Sequence, residues 1–219
     1  MWPELVQEWC LSPDEAAYLE RQQGFRCVRC GCSLRAMALA NAIMCAFHAR
    51  GSLVRFMLTH PWLRILEVNP AGGLTRFLKL APRHVLVSFP EVDLMDLPFA
   101  DGSFDLVVHS DTLEHVADAH LGLAQSLRVL RPGGITCYTV PIVVGRLTTR
   151  RDDAAPSYHG TVGGQEHRVR TEYGADAWTQ PLIAGFAECR LVALEYPAGL
   201  ALTAVKPRPP WRGEHQRAG

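Results

Sequence analysis

Three groups of residues carry types and spacings that could do chemistry. Cys27-Val-Arg-Cys30 and Cys45-Ala-Phe-His48 each place two soft ligands three residues apart, a spacing from which four side chains can close a tetrahedral zinc site. Reduced, buried thiols beside an incidental histidine are the alternative for the same residues. Ser157-Tyr158-His159-Gly160 and Glu166-His167-Arg168 put imidazoles and a phenol in one stretch. Such groups take up or release protons, or hold a substrate, near neutral pH. His159 is the first candidate for a base, then His167, with Tyr158 beside them; solvent-facing loop residues are the competing reading. The third group stands around short apolar runs: Glu67, Asn69, Ser88, Asp96, Ser110 and His109. Gly72 and Gly73 lie among them, where a backbone without Cβ can approach a ligand closely.

The elements that must position these groups are legible from periodicity. Ser12-Pro-Asp-Glu predicts a capped helix start, with Gly24 ending the helix, and Leu34 to Arg50 carries Ala, Leu and Met at helical spacing up to Gly51. Residues 1–60 are therefore expected to form a helical cap around a cysteine knuckle. From Trp62 the texture changes to short apolar runs, Leu63–Val68, Val85–Phe89, Phe104–His109 and Ile135–Val140, with a helical stretch over Leu121–Leu130. Strands alternating with helices imply an α/β domain with a doubly wound, mostly parallel sheet, here over residues 61–205. Arg190–Tyr196 and Leu200–Val205, split by Pro-Ala-Gly, predict a closing antiparallel hairpin. Residues 141–171, without clear periodicity, are expected to be a lid loop over the site, and residues 206–219, with three prolines, a loosely ordered tail.

Composition narrows the partners. The chain has 22 Lys plus Arg against 22 Asp plus Glu, so no global charge draws it to nucleic acid or an anionic membrane. A zinc-ribbon nucleic-acid module is disfavoured for the same reason. No apolar run reaches membrane-spanning length, and Met-Trp-Pro-Glu does not read as a secretory signal. Seven cysteines without an export signal argue for reduced thiols or a metal site in a cytoplasmic protein. A small-molecule partner is expected; a homodimer is left open.

The run Asp96-Leu-Pro-Phe-Ala-Asp-Gly-Ser-Phe-Asp-Leu-Val-Val-His-Ser-Asp-Thr-Leu-Glu-His-Val, followed by Arg128-Val-Leu-Arg-Pro-Gly-Gly, resembles the class I S-adenosylmethionine (SAM) dependent methyltransferases, Rossmann-like enzymes of small molecules. The resemblance extends over about Leu63 to Val205. It implies SAM as cofactor and S-adenosylhomocysteine as product. By the same resemblance Ile65-Leu-Glu67-Val-Asn69-Pro-Ala-Gly72-Gly stands for the first motif, with Glu67 toward the ammonium of SAM or supporting the turn. Asp96 and the backbone of Leu97 would read adenine, Ser88 or Glu91 would hold the ribose, and Ser110 would face the methyl-transfer cleft. Tyr173 is the substrate-pocket residue that the resemblance implies; His109 could line the same cleft, and Tyr18 and Arg35, which lie together in the cap, could close over a carboxylate substrate, a solvated arginine being the alternative. Asp101 to Asp105, Glu114, His115 and Arg131 to Gly134 are read as architecture, with His115 also close enough to the cleft to touch ligand. This copy departs from the family in Asn69-Pro70, where glycines are usual, and in lacking an acid at the end of the second strand.

Methyl transfer to an O, N or C nucleophile of a small metabolite is the function this resemblance implies. Two alternatives stand beside it. One is a SAM-consuming cyclase in which the SAM amine attacks intramolecularly and methylthioadenosine is released. The other is a noncatalytic binding protein that has lost cofactor affinity through Asn69-Pro70.

Overall fold

The structure, a computed structural model, describes residues 3–152, 157 and 168–209. Its centre is a six-stranded sheet in the order β2 (Arg83–Val87), β1 (Arg64–Val68), β3 (Phe104–Ser110), β4 (Leu130–Thr139), β9 (Gly199–Val205) and β8 (Glu188–Glu195). The first four run parallel; β9 and β8 are antiparallel and form the expected terminal hairpin. The strands expected from apolar runs are all present, within a few residues at their ends.

Strand alternation divides the core into two faces. Ile65, Leu106, Val108 and Cys137 pack with Leu39, Ile43, Met57 and Leu78 from α3 (Leu34–Ala46), α4 (Leu53–Thr59) and α5 (Thr75–Leu78). Leu66, Val68, Val107 and Tyr138 point the other way, onto Leu123 of α6 (Ala119–Val129) and Phe186 beyond α7 (Thr179–Ile183). Helices α3 and α4, within residues 1–60, thus pack directly on the sheet. Ala38 and Ala42 of α3 sit against Ala201 of β9, so α3 is one of the sheet's own covering helices. Its alanines allow that close approach.

Helices α1 (Pro3–Glu8) and α2 (Pro13–Gly24) form a separate rim. Ser12 caps α2 in a reciprocal box with Glu15, as the sequence predicts. Glu15 also binds Arg146, whose guanidinium donates to the carbonyls of Trp9 and Cys10 at 2.5 and 2.7 Å. That fork fastens the rim to the segment expected to be a lid. Part of this segment is ordered by pairing: β5 (Ile142–Val143), β7 (Thr171–Gly174) and β6 (Thr149–Arg150) form a small sheet. Gly174 is obligatory there, because a Cβ would meet the carbonyl oxygen of Arg146 at 2.3 Å. Lys206, placed in the tail, instead prolongs β9, bonding the backbone of Gly134 and reaching the carbonyls of Arg128 and Leu130. Among the described residues no helix is long and apolar enough to cross a membrane.

Several ionisable groups are enclosed. Asp105, at the start of β3, accepts from the Arg64 backbone at 2.8 Å and from the side chains of Arg64 and Arg131. It thereby ties the N-terminal ends of β1 and β3 to the turn opening β4. His109 and Glu114 are fully buried without comparable partners. Among the described residues, the two ring nitrogens of His109 and the two carboxyl oxygens of Glu114 have no hydrogen-bond partner. Burial pushes His109 down to about 3 and Glu114 up to about 8, the latter against the attraction of Arg35. Glu114 also has the His115 ring 3.9 Å away.

Two outcomes follow. Asp105→Ala should destabilise the fold by about 2–4 kcal/mol, because it leaves two arginines without their buried carboxylate; urea unfolding measures it. For Glu114 the folded protein binds the proton more tightly than the unfolded chain, so its contribution is complete below pH 4.5 and is lost as pH rises to about 8. His109 acts oppositely, losing stability as pH falls from 6.5 toward 3. Glu114 titrates differentially between pH 6.5 and 8, so the melting temperature of Glu114→Gln relative to wild type should climb across that window. A difference independent of pH there would contradict the assignment.

Candidate functional site

Parallel strands end together, and the chain leaving each must turn, so the crevice beyond their carboxyl ends collects loops and free backbone groups. Here the strand order reverses between β1 and β3, and a cleft of about 540 Å³ opens at that point. Its walls are Asn69 and Pro70 after β1, Ser88 and Phe89 after β2, Val92 to Met95, Ser110 to Thr112 at the end of β3, then His115 to Ala117 and Arg170. The volume suits a ligand of cofactor size.

The turn after β1 is built around Glu67. This buried carboxylate accepts from the Ala71 backbone at 2.8 Å and the Thr75 hydroxyl at 2.6 Å, and its other oxygen meets His84 at 2.7 Å. Both oxygens are engaged within the fold, which favours the turn-supporting half of the expectation over contact with an ammonium. Asn69 follows in a left-handed conformation, φ 59°. Its amide oxygen accepts from Phe89 N–H at 2.9 Å and its nitrogen donates to the Thr112 hydroxyl at 3.3 Å. The asparagine that replaces the family's usual glycine thus adopts a glycine-like backbone and uses its side chain to bridge the ends of three strands. Gly72, φ 56°, takes the next tight step, with open space where its Cβ would be.

Asp111, at the end of β3, is the second left-handed non-glycine residue on the cleft wall, φ 46°. Its Oδ2 is held by Gln23 at 2.9 Å and by an ion pair with Arg35, while Oδ1 is buried with no hydrogen-bond partner among the described residues. Burial lowers Arg35 to about 10, still a cation at neutral pH. Two non-glycine residues held in sparsely populated backbone regions on one cleft are what functional sites accumulate.

The structure sorts the expected site residues. Asn69, Ser88 and Ser110 line the cleft; Ser110 shares a 2.8 Å hydrogen bond with Thr139. Asp96 and Leu97 do not line it. Asp96 is exposed and Leu97 is core, because a turn closed by Asp93, which accepts from Met95 N–H at 2.8 Å, brings residues 92–95 to the wall instead. Glu91 is exposed outside the cleft. His109 and Tyr173 are likewise not cleft residues. Alternation puts His109 on the Val107 face, stacked on Tyr138 with ring centroids 4.8 Å apart, and Tyr173 is buried in the same cluster. Tyr18 accepts from Val144 N–H at 3.1 Å and belongs to the rim. Arg35 stands one residue behind the wall, its charge met by Asp111. His115, read chiefly as architecture, is a wall residue whose ring lies 3.1 Å from the Arg168 carbonyl. Tyr158, His159 and His167 lie outside the described residues.

The zinc expectation is corrected. Cys27 and Cys30 precede α3, whereas Cys45 is at its far end, about 16 Å along the axis, with His48 beyond it. Among the described residues no group of three or more His, Cys, Asp or Glu side chains could hold a metal.

Comparison with known proteins bears on this arrangement. Residues 50–138 match the family description "Methyltransferase domain". The chain is 52% identical over 48 residues to a demethylmenaquinone methyltransferase of Beutenbergia cavernae, covering 22% of this chain and 20% of that protein. It is 34% identical over 116 residues to a 2-methyl-6-phytyl-1,4-hydroquinone methyltransferase of Synechocystis, covering 52% and 33%. The chain therefore spans a third or less of the length of these relatives. Among solved structures, a putative SAM-dependent methyltransferase from Listeria monocytogenes aligns with 71% of this chain and 96% of its own at 11% identity and TM-score 0.47. Residues 50–138 therefore resemble a methyltransferase domain, and the strand order that carries them is that of a Rossmann-like α/β fold.

Proposed function

We propose that this chain binds SAM in the cleft beyond β1, β2 and β3 and transfers its methyl group to an O, N or C nucleophile of a small metabolite. The observation that carries the reading is the cleft itself, at the point where the strand order reverses, with Asn69 and Asp111 both held left-handed on its walls. The residues present fit the cofactor chemically. Asp111 offers a carboxylate for the ammonium, Ser88 and Asp93 offer acceptors for ribose hydroxyls, and the apolar Val92, Leu94 and Met95 suit a flat base.

Bound SAM would supply an already activated methyl, so the protein's task is alignment and, for a protonated acceptor, removal of one proton. Ser110 and His115 stand on the wall on which an acceptor would approach. His159, with Tyr158 and His167, is retained as the proposed base on sequence grounds. A small-molecule acceptor agrees with the names of the two relatives above, one a demethylmenaquinone and the other a 2-methyl-6-phytyl-1,4-hydroquinone methyltransferase.

Calorimetry with S-adenosylhomocysteine tests the reading. Saturable binding is expected, and none at millimolar ligand would overturn it. Asp93→Ala should weaken that binding about tenfold, or about 1.4 kcal/mol, whereas Asp96→Ala should change it less than about twofold. With a productive acceptor, His159→Ala should lower kcat by about a hundredfold with little effect on cofactor affinity. Unchanged turnover would remove His159 from the base role.

A further inference from the structure

Among the described residues Cys27, Cys30 and Cys32 are not part of a metal-holding group, yet the Cys30 thiol contacts both Cys27 and Cys32 beside the turn that follows β1. The Cys27 N–H donates to the Cys32 carbonyl at 2.9 Å and Gly31 N–H to the Cys27 carbonyl at 2.6 Å, with Gly31 left-handed at φ 65°. This tight knuckle leaves Cys27 and Cys30 half-buried and Cys32 buried at 3% exposure. The knuckle is seated on the first motif. A Cβ on Gly73 would meet the Cys32 sulfur at 3.1 Å, Arg76 donates to the Cys30 carbonyl, and Cys30 and Cys32 pack in the cluster that holds Ala71 and Leu74.

We propose that Cys27 and Cys30 are a dithiol that closes reversibly to a disulfide, and that closure is transmitted through Cys32 to the Gly72–Gly73 turn and weakens cofactor binding. Cys27 is the attacking thiol. Its thiolate accepts from the backbone of Cys30 first, then from that of Arg29 and from the Cys30 thiol, which holds it below the ordinary thiol range. Burial instead pushes Cys32 up, so it stays a thiol and acts only as a packing contact. With glutathione disulfide as oxidant, the Cys27 thiolate attacks one sulfur and displaces glutathione thiolate. Cys30 loses its proton and attacks the Cys27 sulfur of the mixed disulfide, displacing the second glutathione. Two protein thiols are oxidised by two electrons and one glutathione disulfide is reduced to two thiols. Closure takes the Cys30 thiol away from Cys32, which it also contacts. The consequence for cofactor binding rests on the reading given under Proposed function; the disulfide itself does not.

The experiment uses the full chain with the exposed Cys10 and Cys45 changed to Ser, so that they do not compete for the oxidant. Trypsin cuts after Arg26, Arg29 and Arg35, placing Cys27 and Cys30 in different peptides and Cys30 with Cys32 in one. After glutathione disulfide, mass spectrometry should find the Cys27 and Cys30 peptides linked, and dithiothreitol should separate them. The oxidised protein should bind S-adenosylhomocysteine at least fivefold more weakly, and amide exchange over residues 70–79 should change. Cys27→Ser should abolish both responses while binding like the reduced protein. Absence of the linked peptide, a Cys30–Cys32 link, or a linked protein with unchanged exchange would overturn the proposal. Equal affinity of the two forms would do the same. If even reduced protein binds no S-adenosylhomocysteine, the cofactor reading fails, and the peptide link and amide exchange still decide the redox site.

Discussion

The buried carboxylate of Glu67 is the constraint on which the cleft depends. A charge-bearing side chain enclosed at a strand end is stable only if its acceptor sites are filled, and here the Ala71 amide, the Thr75 hydroxyl and the His84 ring fill them. Filling them fixes the path of residues 69–75, and with it the position of Asn69. Asn69 in turn reaches the chain after β2 and Thr112 beyond β3. One polar cluster therefore sets the relative positions of three strand ends, and the cleft is the space left between them.

A second chain of contacts joins the helical rim to the same place. Asp111 receives Gln23 from α2 and Arg35 from α3, while Glu15 and Arg146 bind the rim to the small sheet of β5, β6 and β7. The N-terminal residues thus belong to the architecture of the site. The close seat of α3 on β9 and of the cysteine knuckle on Gly73 leads to the same conclusion. The knuckle thus lies directly against the turn that follows β1.

Much of the fold was legible because parallel-sheet packing writes itself into short apolar runs with glycine and proline at their ends. The Ser12 cap, the four parallel strands and the Arg190 to Val205 hairpin are local patterns with local causes. The aperiodic residues 141–171 were less so, since two-residue strands such as β5 and β6 bury too little to mark a sequence. The seat of α3 was hidden for a related reason: helical periodicity identifies α3 but not the surface it covers.

By itself the sequence determined the strand-helix alternation, the family resemblance and the presence of polar groups at strand ends, all properties of neighbouring residues. Tertiary structure alone decided which of those groups share a space. It placed Asp93 on the wall and Asp96 outside it, because one turn of a few residues rotates the chain past the cleft. It sealed His109 in the core, since adjacent residues on a strand face opposite ways. It also parted Cys45 and His48 from Cys27 and Cys30 by the length of a helix, a separation that spacing along the chain does not record.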